Sequence, residues 1–125
     1  MDYVRHDYIK ETIETVANQS ISKDMIELII LTDNYTESFS FVPQISKDLA
    51  YTVYYTGLIN FGNALAIGAG LSRGKVICLL DNDDKWSKNK LKHLYYYYSR
   101  YPDITFIKDE VIPFSEKEIN LALKL

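Results

Sequence analysis

Two hydrophobic rhythms alternate along the chain, one suited to helices and the other to buried strands. From Tyr8 to Asn18 the apolar positions Ile9, Ile13, Val16 and Ala17 fall on one helical stripe, and Asp7 stands where an N-cap would serve. Ile26 to Thr32 is a short run rich in β-branched residues, the pattern of a parallel strand covered on both faces. Tyr51 to Tyr55 predicts a second strand, and Asn63 to Ser72 a helix of small residues closed by Gly74 as C-cap. Val76 to Leu80 predicts a third strand, which stops abruptly at four polar residues. Ser87 is placed to cap a helix reaching about Arg100, with Leu91, Leu94, Tyr95 and Tyr98 on its apolar side. Ile104 to Ile107 suggests another strand, and Ser115 with Glu118 a capping box for a last short helix.

Strands alternating with helices imply an α/β domain, a mainly parallel sheet flanked by helices. At 125 residues a single domain spanning residues 1–125 is expected. Ligands of such sheets bind outside the carboxyl ends of the strands. Two acidic sites fall there, Asp33 after the first strand and Asp81 to Asp84 after the third.

Composition narrows the function classes. With 47% hydrophobic and 25% charged residues the chain has ordinary globular usage, which argues against disorder. A net charge of −3 supplies no basic field to recruit nucleic acid. The single cysteine, Cys78, lies inside an apolar run and reads as a small buried hydrophobe. One cysteine with the distant His6 and His93 makes no zinc cluster, and both histidines read as surface residues. No apolar run approaches the ~18 residues that span a bilayer, and no signal peptide precedes the first helix, so the cytoplasm is the expected location. The run Tyr95 to Tyr98 can place only two members on one helical face, a pattern of packing or of an oligomer surface.

The chemistry concentrates at Asp81-Asn82-Asp83-Asp84. Carboxylates crowded at the end of a buried strand repel one another unless a proton or a cation intervenes. A hard divalent ion, Mg²⁺ or Mn²⁺, prefers such oxygen ligands and commonly completes its shell with substrate phosphates. The plain alternative is a polar turn with solvated carboxylates.

The stretch Gly68-x5-Gly74-Lys-Val-Ile-Cys-Leu-Leu-Asp-Asn-Asp-Asp-Lys-Trp-x3-Lys90-Leu91 resembles the core of the family-two glycosyltransferases of GT-A fold. There a helix ends in glycine, a hydrophobic strand follows, and a Leu-Asp-x-Asp-Asp-x-Trp turn leads into Lys-Leu. Tyr8 to Ser20 is similar to that family's first helix, including its closing Asn-Gln-Ser, and Glu27 to Asp33 to its second strand. The resemblance covers about residues 5 to 92. It implies a domain binding a UDP- or GDP-sugar through Mn²⁺ or Mg²⁺ and passing the sugar to an acceptor. Residue by residue, Asp33 matches a contact to the nucleotide base, and Asp81 and Asp83 match the Asp-x-Asp pair. Asp83 is then the direct metal ligand, with Asp81 near the ribose or the metal. Asp84 matches an acidic position near the sugar, or else a helix-capping carboxylate. Trp86 is expected to pack beneath the turn and Lys90 to be a solvated helix charge.

Three departures from the family pattern change the expectation. Only Met1 to Val4 precede the first helix, too few residues for the strand with which the family opens. An open sheet edge recruits another chain, so a homo-oligomer or an unusual sheet closure is expected. The usual Asp-Asp-Gly-Ser turn is Thr32-Asp33-Asn34-Tyr35 here, and Leu65-Ala66 replaces the usual Arg-Asn of the third helix. Finally, the base of inverting members lies well beyond the acidic turn in an acceptor-binding half. Asp109 and Glu110 are too close to that turn to be a convincing base. A partner supplying the acceptor half is therefore expected, or a binding module of the same fold that has lost turnover. A phosphatase of the haloacid dehalogenase type, with Asp81 as nucleophile and Asp83 as acid, would need Thr or Val where Lys85 stands.

Overall fold

The computed structural model describes residues 2–108, with side chains from Tyr8 onward. Met1–His93 form one compact unit and Leu94–Leu125 a second.

In the first unit, helix α1 (Asp2–Ala17) leads through a 3₁₀ turn at Lys23–Met25 into strand β1 (Glu27–Thr32). The short helix α2 (Val42–Ile45), strand β2 (Ala50–Tyr55) and helix α3 (Phe61–Leu71) follow, and α4 (Lys90–Arg100) runs on into the second unit. β1 and β2 pair in parallel, Leu28 opposite Tyr51 and Ile30 opposite Val53. These four side chains share one face of the sheet because strand residues alternate with period two. They pack against a core of Ile13, Val16 and Ala17 from α1, joined by Ile26, Phe39, Val42 and Leu49. The opposite face carries Leu31, against which α3 comes close enough that a Cβ on Gly68 would stand 3.0 Å from the Leu31 Cδ1. Helices therefore cover both faces, the α/β arrangement read from the sequence.

Several local expectations change. α1 already begins at Asp2, so Asp7 lies inside the helix instead of capping it. α3 starts two residues early, at Phe61, with Asn60 as its N-cap, whose side chain accepts from the Asn63 N–H. It closes on Ser72, whose N–H donates to the Gly68 and Ala69 carbonyls; Gly74 is no left-handed cap. Among the described residues Val76–Leu80 forms no ladder, and neither does 104–107. Leu80 packs on the core while Ile77 and Leu79 remain 54% and 60% exposed. A strand exists only where a second backbone exchanges hydrogen bonds with it, and among the described residues none pairs with Val76–Leu80. Cys78 accordingly is half-buried, not buried.

In the second unit, the Tyr96 and Tyr97 rings meet edge to face at 5.4 Å, and the Arg100 guanidinium lies 5.9 Å from the rings of Tyr96 and Tyr101. Leu94 and Tyr98 are half-buried, whereas Tyr95, expected on the apolar side, is exposed. Ser115 and Glu118 lie outside the described residues.

Candidate functional site: an acidic turn fastened to helix α1

The segment 81–91 is held by a polar stripe on α1 that runs beside its apolar one. Thr12, Thr15 and Gln19 are spaced at i, i+3 and i+7, so they line one side of the helix. Thr12 is 5% exposed, and its hydroxyl proton is shared between the Asp84 carbonyl at 2.7 Å and the Asn82 carbonyl at 3.0 Å. The Thr15 hydroxyl accepts from the Trp86 N–H at 3.2 Å and donates to the Thr12 carbonyl. Gln19 donates to the Ser87 carbonyl at 2.7 Å and accepts from the Leu91 N–H at 3.0 Å. The Ser20 N–H reaches the Lys88 carbonyl, and Lys85 pairs with Glu11 at 3.0 Å. The first-turn N–H of α4 at Leu91 is thus capped from α1. The helix itself starts at Lys90, three residues after Ser87, the cap expected from sequence.

With its backbone held, the turn closes on an Asp84 N–H bond to the Asp81 carbonyl at 3.1 Å. It presents three carboxylates outward: Asp81, Asp83 and Asp84 are all exposed, and one oxygen of each lies within 4.8 Å of the others. A six-coordinate ion with bonds of ~2.1 Å places its oxygens ~3 to 4 Å apart, so small side-chain rotations would close this set on Mg²⁺ or Mn²⁺. The donor set is all oxygen, which suits a hard cation. Trp86 packs against the core beneath the turn, as expected. Lys90, expected as a solvated charge, is half-buried with its Nζ 5.0 Å from the Trp86 ring centroid. Asp33 lies outside the carboxylate cluster, exposed on the bend that follows β1. His93 is exposed as expected, and Asp109 and Glu110 lie outside the described residues.

Thr12, Thr15 and Gln19 were not singled out as site residues in the sequence. Their signal was present: polar side chains at helical spacing beside an apolar stripe, within a segment whose closing Asn-Gln-Ser matched a family pattern. Replacing the Thr12 hydroxyl by a methyl of the same shape isolates its role. Thr12→Val is expected to cost roughly 1–2 kcal/mol in urea unfolding, because two carbonyls lose their buried donor. It should also weaken Mn²⁺ binding by loosening the turn. An unchanged midpoint with unchanged Mn²⁺ affinity would remove Thr12 from the site.

The Asp84 carboxyl is raised above its ordinary 3.8, first by desolvation and then by the charges of Asp81 and Asp83, with Lys90 opposing. The folded form therefore holds this proton to higher pH than the unfolded chain does. Its contribution to stability is greatest at low pH and falls as pH rises from the ordinary value through the raised one. In metal-free protein, Asp84→Asn should gain stability relative to wild type as pH rises through that window. Ionised Asp84 adds negative charge beside Asp81 and Asp83, so any affinity of the turn for Mn²⁺ should rise over the same window. Melting curves whose difference is flat with pH would contradict the assignment.

Among the described residues no helix is long and apolar enough to cross a membrane. The glycosyl transferase family 2 model matches residues 3–120. The chain is 35% identical over 99 residues to the minor teichoic acid biosynthesis protein GgaA of Bacillus subtilis (strain 168), covering 74% of this chain and 22% of that protein. It is 33% identical over 93 residues to the putative teichuronic acid biosynthesis glycosyltransferase TuaG of the same organism, covering 72% of this chain and 36% of that one. The matched part of the chain thus spans about a fifth to a third of these relatives' length. No solved structure matches it. A parallel α/β sheet, an Asp-x-Asp-Asp turn set on its first helix, and a match over nearly the whole length lead to one conclusion: the chain belongs to glycosyl transferase family 2.

Proposed function

We propose that this chain binds the donor of a sugar transfer, a UDP- or GDP-sugar held through Mn²⁺ or Mg²⁺. The observation that carries the reading is the convergence of Asp81, Asp83 and Asp84 on one turn whose backbone is clamped by α1. Asp83 takes the metal directly, Asp81 the metal or ribose, Asp84 faces the sugar, and Asp33 meets the base. The ion, when bound, neutralises charge developing on the departing diphosphate. The chain's own contribution is to hold those carboxylates in place before the donor arrives, so that little ordering remains to be done on binding. Transfer with inversion also needs a base that takes the acceptor hydroxyl proton while the anomeric carbon exchanges phosphate oxygen for acceptor oxygen. We assign that base to an acceptor-binding part beyond these residues or on a partner. The two relatives' names suggest an acceptor on the way to a teichoic or teichuronic acid. Among the described residues β1 pairs only with β2, which supports a partner strand or a homo-oligomer at its other edge.

Thermal unfolding with UDP or GDP, each with and without Mn²⁺, tests the reading. Ligand at a hundred times its Kd should stabilise by ~2.7 kcal/mol, roughly ten degrees for a domain of this size. A shift that needs nucleotide and metal together is the expected result. No shift with either nucleotide would leave a binding module of the family fold with no donor site.

A further inference from the structure

The turn after β1 departs from its family's pattern in a way that has structural consequences. Where the family turn ends in serine, this chain has Tyr35. One face of its ring lies on Tyr55, the last residue of β2, with centroids 5.5 Å apart and planes 19° from parallel. Tyr55 stands opposite Thr32, the last residue of β1, so the stacked pair sits at the carboxyl ends of both strands. Tyr35 is nevertheless 70% exposed, a large apolar face left to water.

The ring is held ready and not merely left over. The Tyr55 hydroxyl donates to the Glu37 carbonyl at 3.1 Å, and the Thr32 hydroxyl donates to the Glu37 carboxylate at 3.0 Å. The Thr32 hydroxyl also accepts from the Asn34 N–H at 3.1 Å, which ties both sides of the tyrosine to the end of β1. Behind it, Gly57 has φ of 67°, and a Cβ there would stand 3.5 Å from the Tyr35 hydroxyl. That left-handed backbone disfavours any side chain, which keeps the space beside the ring open.

We propose that the free face of Tyr35 is the stacking platform for the base of the donor nucleotide, an assignment that rests on the donor-site reading above. A flat, uncharged, preorganised ring at the ligand end of a parallel sheet suits a planar π-system, and base–aromatic stacking tolerates any base. Asp33, two residues earlier in the same turn, supplies the acceptor for the base's N–H groups. Tyr35 then provides affinity and Asp33 discrimination.

Isothermal titration of the 125-residue chain in Mn²⁺, with UDP, GDP and inorganic pyrophosphate, tests this on wild type, Tyr35→Ala and Tyr35→Phe. Tyr35→Ala should weaken the nucleotide roughly tenfold and leave pyrophosphate binding unchanged, while Tyr35→Phe keeps wild-type affinity for both. Nucleotide affinity unchanged in Tyr35→Ala would overturn the platform while leaving the donor site standing. Equal weakening of nucleotide and pyrophosphate would reduce the pair to a prop for the loop and overturn it too. Loss in Tyr35→Phe as large as in Tyr35→Ala would assign the effect to the hydroxyl, not the ring. If wild type binds neither nucleotide with Mn²⁺, the donor-site reading itself falls, and the platform with it.

Discussion

Asp83→Ala is expected to abolish the joint nucleotide–manganese stabilisation while leaving the ligand-free protein as stable as wild type, or slightly more so. Asp83 is exposed and its charge opposes ionisation of the neighbouring Asp84. Removing it relieves repulsion among the three neighbouring carboxylates but takes away the one proposed to hold the metal directly. Stabilisation of ~2.7 kcal/mol at a hundredfold excess over Kd should then vanish at the same ligand concentration. The comparison separates binding from folding, because the metal-free melting curve serves as its own control. A ten-degree shift surviving in Asp83→Ala would mean that the nucleotide binds elsewhere.

Gln19→Leu should give the largest loss of stability, roughly 3 kcal/mol in urea unfolding, since two backbone groups would be left without partners. Gln19 is 4% exposed, and its amide makes three hydrogen bonds: both N–H groups donate, to the Thr15 and Ser87 carbonyls, and its oxygen accepts from the Leu91 N–H. Leucine matches its size, so the cost is not a cavity. It arises from the Thr15 carbonyl and the Leu91 N–H at the start of α4, while the Ser87 carbonyl keeps the Lys90 N–H. Because the same residue fixes the segment that follows the acidic turn, Mn²⁺ affinity should fall as well. A loss below about 1 kcal/mol would show that water replaces the amide, and would demote Gln19 from a clamp to a surface contact.

How much of this was legible in the sequence depended on the range of each interaction. The apolar stripe of α1, the β-branched run of β1 and the second strand at Tyr51 to Tyr55 were all read correctly to within a few residues, apart from the start of α1. Their signals are periodicities within a single segment, set by backbone geometry alone. The acidic turn was also legible, because Asp81, Asp83 and Asp84 are adjacent and a chain reversal brings them together. Val76–Leu80 misled for the complementary reason. Its composition is that of a strand, yet pairing requires a second edge, which is a tertiary fact.

By itself the sequence determined the α/β class, the family and the place of the acidic turn, since local periodicity and contiguous motifs specify them. Only the tertiary structure decided what holds that turn and what lies beside it. Thr12 and Gln19 meet the segment 82–91 across about seventy residues, and Tyr35 meets Tyr55 across two strands. Hydrogen bonds and ring stacking act over a few ångströms, so partners distant in sequence meet only once the chain has folded.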